Sequence, residues 1–335
     1  MKKIKYILPI VFAAFLGKAQ DYHLSHYDVA SLYLNPALTG VYGGEKGDYR
    51  VYIDQRSQWR AIGIKPYVTT YLAYDMPYVK KDKKFGFGGY LISNRTGLGN
   101  FNTTTFMGST SYDILNNKAN NKHLLTTGLQ LGLFYRASDP NSLNYDVQYT
   151  VNSGTFDQSI ASNETYNRVS MVRFDANYGI YYKYLESGKK AHPYAGFSLA
   201  HLTMPNQSFT DAESRMPLRL VASGGCDIKI NDKMDITPRV LYMNQAKASE
   251  IMAGFLFYYK LTENNTKIVA GFDYRVKDAC IAALGIKHDN YAFRVSYDIN
   301  TSYLKNYSNG RGAFEISLIY VGEKGKPFFK SVSSF

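Results

Sequence analysis

Tyr49-Arg50-Val51-Tyr52-Ile53-Asp54-Gln55-Arg56 is the stretch that decides the architecture. In an extended strand successive side chains point to opposite faces, so Arg50, Tyr52, Asp54 and Arg56 share one face and Tyr49, Val51 and Ile53 the other. One face is charged and the other apolar. The same period of two returns along the chain. Leu125, Leu129, Leu131 and Leu133 oppose Gly128, Gln130 and Gly132; Arg173, Asp175, Asn177 and Gly179 oppose Phe174, Ala176, Tyr178, Ile180 and Tyr182. Lys267, Gly271, Asp273 and Arg275 oppose Ile268, Ala270, Phe272 and Tyr274, while Arg294, Ser296 and Asp298 oppose Phe293, Val295, Tyr297 and Ile299.

Alternation alone suits a soluble sandwich as well as a membrane barrel, and the connections separate the two. Strands are predicted near 48–56, 67–75, 85–93, 102–113, 123–136, 172–184, 192–200, 218–230, 234–243, 250–260, 266–275, 279–287, 291–299 and 313–320, about 14 in all. From a periplasmic start, the connections alternate between an inner set averaging about 6 residues and an outer set averaging about 13, the pattern of outer-membrane barrels. A sandwich gives no reason for it. Lipid supplies no hydrogen-bond partner, so the sheet must close, and Arg or Lys on the lipid face at the midplane costs roughly 2–4 kcal/mol, which fixes the register. The predicted fold class is therefore an all-β transmembrane antiparallel barrel of about 14 strands over 48–320. A segment at 20–47 is expected to plug the barrel or cap its periplasmic mouth, and a tail follows at 321–335. Tyr320 and Phe335 both remain open as the aromatic that an insertion machinery reads.

Composition agrees with export. Lys2, Lys3 and Lys5 precede an apolar run from Tyr6 to Leu16, with small Gly17 and Ala19 before Gln20: a leader over 1–19 cut near Ala19/Gln20. No later run reaches the roughly 20 apolar residues that a membrane helix needs. Losing Lys2, Lys3, Lys5 and Lys18 takes the basic residues from 39 to 35 against 27 acidic, a scattered excess of 8 that argues against a nucleic-acid partner. Cys226 and Cys280 fall in separate strand patterns and read as two buried small side chains. The 31 tyrosines and 19 phenylalanines suit the aromatic girdles of a membrane barrel.

No catalytic constellation emerges. His23 and His26 are neighbours without a completing ligand nearby and read as a surface pair, so neither metal nor cofactor is expected. No Gly-x-Ser-x-Gly elbow or phosphate loop is present, and Gly86, Gly88 and Gly89 fall inside a strand, where they ease curvature. Asp54 and Asp175 are interleaved with Arg50, Arg56 and Arg173, which reads as a charge-balanced lumen rather than a catalytic pair. Asp273, Arg275, Arg294 and Asp298 extend the lining. Val29–Leu34 predicts a short helical turn broken where Pro36 forces Asn35 out of the helical region.

Leu32-Tyr33-Leu34-Asn35-Pro36-Ala37-Leu38-Thr39-Gly40, Gln55-Arg56-Ser57-Gln58-Trp59 and Tyr71-Leu72-Ala73-Tyr74-Asp75-Met76-Pro77 follow one another in an order that resembles the PorP/SprF family of type IX secretion membrane proteins of Bacteroidota. Gly86-Phe87-Gly88-Gly89-Tyr90, Asn94-Arg95-Thr96-Gly97, Tyr297-Asp298 and Leu304-Lys305-Asn306-Tyr307 continue it over nearly the whole mature chain. The resemblance implies a non-enzymatic outer-membrane barrel that serves the secretion apparatus, helping to export a client protein or to hold an adhesin at the surface, in some members for gliding motility. It makes Asn35, Pro36, Ala37, Trp59, Asp75, Pro77, Asn306 and Tyr307 the candidate partner contacts, with 21–40 expected to face periplasmic partners and the long outer loops a client. A passive channel for small solutes is the alternative.

Overall fold

The computed structural model describes residues 21–41, 48–61, 65–116, 122–164, 166, 168–210, 213–261 and 265–323. The expected leader and its cleavage point, the Gly43/Gly44/Gly47 turn and most of the expected tail lie outside these residues.

Sixteen strands follow one another: β1 (Tyr49–Gln58), β2 (Tyr67–Lys80), β3 (Lys83–Thr96), β4 (Phe101–Asp113), β5 (His123–Ala137), β6 (Tyr149–Thr150), β7 (Thr155–Phe156), β8 (Ser170–Tyr184), β9 (Ala191–Ala200), β10 (Arg219–Lys229), β11 (Met234–Gln245), β12 (Ala248–Lys260), β13 (Thr266–Arg275), β14 (Ala279–His288), β15 (Tyr291–Asn300) and β16 (Arg311–Gly322). Fourteen of them form one closed antiparallel barrel, each beside its sequence neighbour, and β16 returns to β1 from Tyr49↔Gly322 to Gln58↔Ala313. Among the described residues only β6 and β7 stand apart, as a two-stranded ribbon in the connection between β5 and β8. That ribbon has no counterpart in the sequence reading, because two-residue strands carry no period.

Closure pairs every strand on both sides, which satisfies the backbone where lipid cannot. The alternation then sorts itself by environment. Ile53, Leu72, Leu91, Phe106, Leu131 and Phe174 are exposed on the outside, while Tyr52, Asp54, Tyr71, Ile92, Gln130 and Asp175 are buried inside. An apolar band covering the outer wall of a closed sheet is the surface that a bilayer requires. No helix among the described residues is long and apolar enough to cross a membrane.

Several strands outrun their expected ends. β2 and β3 run on to a two-residue turn at Lys81 and Asp82, both in the left-handed region at φ 46° and 67°, as the hairpin turn that fits strand twist requires. Apolar alternation stops where lipid stops, but backbone pairing continues into water, so period alone ends such strands early. At the other end Val321 and Gly322 belong to β16 rather than to a tail. Cys226 and Cys280 are free thiols on strands that lie apart, and each is only half-buried because the alternation turns it to the outer face, opposite Val221 and Ile281, which face in.

The two rims differ. One carries the short turns, including Lys81–Asp82 and Asp289–Asn290; the other carries the long connections, including 138–169, 201–218 and 301–310. These are called the short-turn rim and the long-loop rim below.

Candidate functional site

The interior is filled by residues 21–40, which run through the barrel from the long-loop rim to the short-turn rim. The segment crosses neither mouth as a cap and presents little surface to a periplasmic partner, contrary to that expectation, because it is buried and hydrogen-bonded to the inner wall near both of its ends and between them.

At the long-loop rim the Asp21 carboxylate lies 2.6 Å from His201 Nε2 and 3.0 Å from Arg219, while His201 Nδ1 lies 2.5 Å from Asp175. Ser25 Oγ, one level deeper, bonds Asp298 and accepts from Arg56 and Arg275, and its N–H with that of His26 donates to Glu315 at 2.9 and 2.6 Å. Arg56 bridges Asp298 and Glu315, each at 2.8 Å. In the middle Asp28 meets Arg239 and Arg294, each at 2.7 Å, and Arg239 also holds Asp273 at 2.6 Å. The lumenal charges therefore neutralise one another through carboxylates that the segment brings, and not only along the wall.

Below this layer the segment turns. Ser31–Leu34 forms one helical turn, Asn35 is extended at φ −157°, ψ 120°, and Pro36–Leu38 forms a 3-10 turn capped by the Asn35 side chain, whose Oδ1 accepts from Ala37 N at 2.9 Å. Asn35 Nδ2 donates to the carbonyls of Ile180 and Phe197 at 3.0 and 3.3 Å. Thr126 donates to the Ala37 carbonyl and Ser111 to that of Thr39. Gly40 N–H donates to Asp75 at 2.7 Å, and Arg50 clamps the same carboxylate at 2.9 Å. Asn35-Pro36-Ala37 is thus a hook in the inner wall.

Glycines make room for that hook. A Cβ on Gly128 would lie 2.3 Å from the Pro36 carbonyl carbon, one on Gly179 2.0 Å from Asn35 Oδ1, and one on Gly86 1.9 Å from the Thr39 carbonyl oxygen. For Gly86 this clearance, and not curvature alone, explains a glycine in a strand. The lumen is also less polar than its charges suggest. Leu24, Val29, Ala30 and Leu32 pack on Tyr52, Tyr71, Tyr90, Ile92 and Met107, while Tyr27 and Leu34 pack on Val221, Leu241, Met252 and Ile281.

A cavity of about 420 Å³ remains at the long-loop rim, lined among others by Tyr33, Trp59, Tyr67, Phe134, Arg136 and Arg219. Space of about 190 Å³ beside Thr39 and Pro77 and about 180 Å³ beside Asp28 and Lys287 shares no lining residue with it, and residues of the segment line all three.

The proposed contact residues are dispersed. Asn35, Pro36 and Ala37 are buried in the hook and Asp75 in its clamp; Pro77 is exposed near the short-turn rim. Trp59 sits at the long-loop rim in a left-handed conformation (φ 63°), its ring 4.7 Å from Tyr67, and Asn306 and Tyr307 are exposed there on the short helix Lys305–Ser308. Of the lumenal set, Arg50, Asp54, Arg56, Asp175, Asp273, Arg275, Arg294 and Asp298 are buried inside, whereas Arg173 is half-buried and donates to the Asn206 carbonyl of a long loop. His26, read as a surface residue, is 1% exposed: the segment that carries it enters the barrel. Sequence reasoning also missed Glu315, although Phe314 and Ile316 facing out oblige Glu315 to face in.

Burial alone would depress the His201 imidazole, but the Asp21 charge and the hydrogen bonds that the ring donates to Asp175 and Asp21 raise it to about 9. A folded value above the unfolded value of about 6.5 stabilises fully below that pH, and the stabilisation is lost as pH rises through about 9. His201→Gln is therefore expected to lower thermal stability in detergent at pH 6, by up to about 3 kcal/mol, and to differ little from the parent at pH 10. An equal deficit at both pH values would contradict this linkage.

The family described as type IX secretion system membrane protein PorP/SprF matches residues 16–320. The chain belongs to the PorP/SprF family. No curated protein matches the chain. Among solved structures, the Pseudomonas putida toluene transporter TodX aligns over 90% of this chain and 94% of its own, at 12% identity and a TM-score of 0.51. The monoaromatic hydrocarbon channel CymD aligns over 89% and 94%, at 12% identity and 0.47, and a Pseudomonas aeruginosa FadL homologue over 87% and 94%, at 12% and 0.46. At such identity the TodX likeness speaks for the barrel fold alone. Family and fold together make this PorP/SprF member an outer-membrane β-barrel.

Proposed function

We propose that this PorP/SprF protein is a closed accessory of the type IX secretion system, which assists export of a secreted client or holds it at the cell surface, rather than a diffusion channel. The observation that carries this reading is the lumen. Residues 21–40 are tied to the wall by ion pairs at Asp21 and Asp28, by the Ser25 and His26 amides and by the hook at Asn35. A conduit gains nothing from so many buried pairs across its path, whereas a barrel that displays loops on a rigid frame does. In outer-membrane barrels long loops face outward, which puts Trp59, Asn306, Tyr307 and the aromatic cavity on the side where a surface client is held. Contact is assigned to these residues, and the Asn35 hook, Asp75 and Pro77 are given to the closure of the barrel. The contact surface needs no cofactor.

The competing channel reading takes its support from the names of TodX and CymD, a toluene transporter and a hydrocarbon channel. Crosslinking in cells, purification and mass spectrometry separate the two. Recovery of a secreted protein together with secretion machinery, reduced by exchanging Trp59, Asn306 and Tyr307 for Ala, is the expected result; recovery of only unrelated porins and lipid overturns it.

A further inference from the structure

Three groups converge where the barrel closes. His26 comes from the internal segment, Asp54 from β1 and Glu315 from β16, the two strands of the seam. Their nitrogen and oxygen ligand atoms all lie within 4.8 Å of one another, with His26 Nδ1 3.4 Å from Asp54 Oδ2 and 3.8 Å from Glu315 Oε1. His26 is 1% exposed and Asp54 and Glu315 are 0% exposed.

What sets the cluster apart is that two of its three members, His26 and Asp54, are unsatisfied, while Glu315 accepts from Arg56 and from the Ser25 and His26 amides. Neither ring nitrogen of His26 nor either carboxylate oxygen of Asp54 has a hydrogen-bond partner. Burying an ionised carboxylate without a partner costs several kcal/mol, and native interiors do not retain such groups without a reason. The neighbouring cations are engaged with carboxylates other than Asp54: Arg56 holds Asp298 and Glu315, Arg239 holds Asp28 and Asp273, Arg294 holds Asp28, and Arg275 holds Asp298 and Asp278. No ion pair joins any of them to Asp54. One imidazole and two carboxylates on three separate segments supply one nitrogen and at least two oxygens within 4.8 Å of one another.

We propose that His26, Asp54 and Glu315 bind one divalent transition-metal ion of zinc-like preference, which pins the internal segment to the closing seam. Mixed imidazole and carboxylate donors favour such an ion over calcium or magnesium, which take oxygen donors in larger number. Ligand bonds of about 2.0–2.2 Å place the donors of a tetrahedral site roughly 3.5 Å apart, near the 3.4 and 3.8 Å that separate His26 Nδ1 from Asp54 and Glu315. Glu315 contributes Oε1, which accepts one hydrogen bond, from the His26 amide at 2.6 Å, and keeps a second lone pair, whereas Oε2 accepts from both Arg56 and the Ser25 amide. A metal here joins both ends of the sheet and the segment inside it, so binding free energy becomes closure free energy.

The test uses the full-length protein in detergent, stripped with a chelator and titrated with Zn²⁺ alone. Expected are one tightly held zinc per chain and a rise in melting temperature on zinc addition. Both are lost in His26→Gln and in Asp54→Asn, with affinity falling by more than about 100-fold. Asp54→Asn supplies the control for misfolding, because removing an unpartnered buried charge leaves the metal-free protein at least as stable as the parent. Co²⁺ in place of zinc should give the intense visible absorption of a four-coordinate site, absent in both variants. The proposal is overturned if the parent retains no stoichiometric zinc, or if zinc binds parent and variants alike. A parent whose melting temperature ignores zinc overturns it too, and leaves a proton shared between His26 and Asp54.

Discussion

Removing residues 21–40 is expected to turn a barrel that stays closed in a planar bilayer into one that conducts in resolved unitary steps. The segment separates the cavity at the long-loop rim from the space at the short-turn rim, and nothing else described in the interior spans the lumen between them. Without it, Arg56, Arg239, Arg275 and Arg294 and their acidic partners face water, which hydrates them and leaves a charged, wetted pore. Barrels a little larger, of 16–18 strands, leave an aqueous channel when nothing fills them. Because the deleted chain loses a large packed surface, a point variant carries the same test. Asp28→Ala removes the carboxylate to which Arg294 and Arg239 both point; Arg239 keeps Asp273, but Arg294 loses its ion pair. Arg294 is buried but the Asp28 side chain is 37% exposed, so breaking this half-buried pair from one side costs less than the roughly 3–5 kcal/mol of a fully buried one, and intermittent openings should replace the closed baseline. A folded, heat-modifiable deletion variant that stays silent would show that the segment does not close the lumen. A full-length protein that already conducts as freely as the deletion variant would favour the solute-channel reading over the accessory one.

The outer wall of this barrel is legible in its sequence for a physical reason. Lipid accepts no charge and water rewards little else, so Ile53 between Tyr52 and Asp54, or Phe174 between Arg173 and Asp175, records which face each strand turns outward. The number and order of the strands follow from that record, since each reversal of direction needs a turn. The interior is recorded differently. Ser25 and His26 meet Glu315 almost 290 residues away, and no local period relates a segment at one end of the chain to a strand at the other. His26 therefore looks like half of a surface pair until Asp54 and Glu315 are seen beside it. Tyr52, Leu241 and Ile281 also mislead, because an inward apolar side chain breaks the expectation of a wet lumen unless something apolar packs on it. The resemblance pointed to Asn35-Pro36-Ala37 without saying what it does. Its role becomes visible only where Asn35 reaches the carbonyls of Ile180 and Phe197.

The glycines around that hook allow a test whose sign separates a plugged barrel from an empty one. In a strand with nothing against its inner face, Gly→Ala is neutral or mildly favourable, because alanine restricts the unfolded chain and a strand interior gains a side chain. Gly128 and Gly179 are not in that position: the added methyl would stand 2.3 Å from the Pro36 carbonyl carbon or 2.0 Å from Asn35 Oδ1, distances that real carbons do not adopt. Either the wall or the hook must move. Wall strands are paired on both sides, as β5 is to β4 and β8, so the hook yields. Gly128→Ala and Gly179→Ala are each expected to cost about 3 kcal/mol in the full chain and to expose 21–40 to added protease. Gly108→Ala, in the same sheet but with no atom nearer than 3.7 Å, should change nothing. In a chain lacking 21–40 all three substitutions should be close to neutral, so the coupling between glycine and segment appears as the difference between the two backgrounds in a double-mutant cycle. If Gly128→Ala costs as much without the segment as with it, the glycine serves the curvature of the wall and the hook does not rest there.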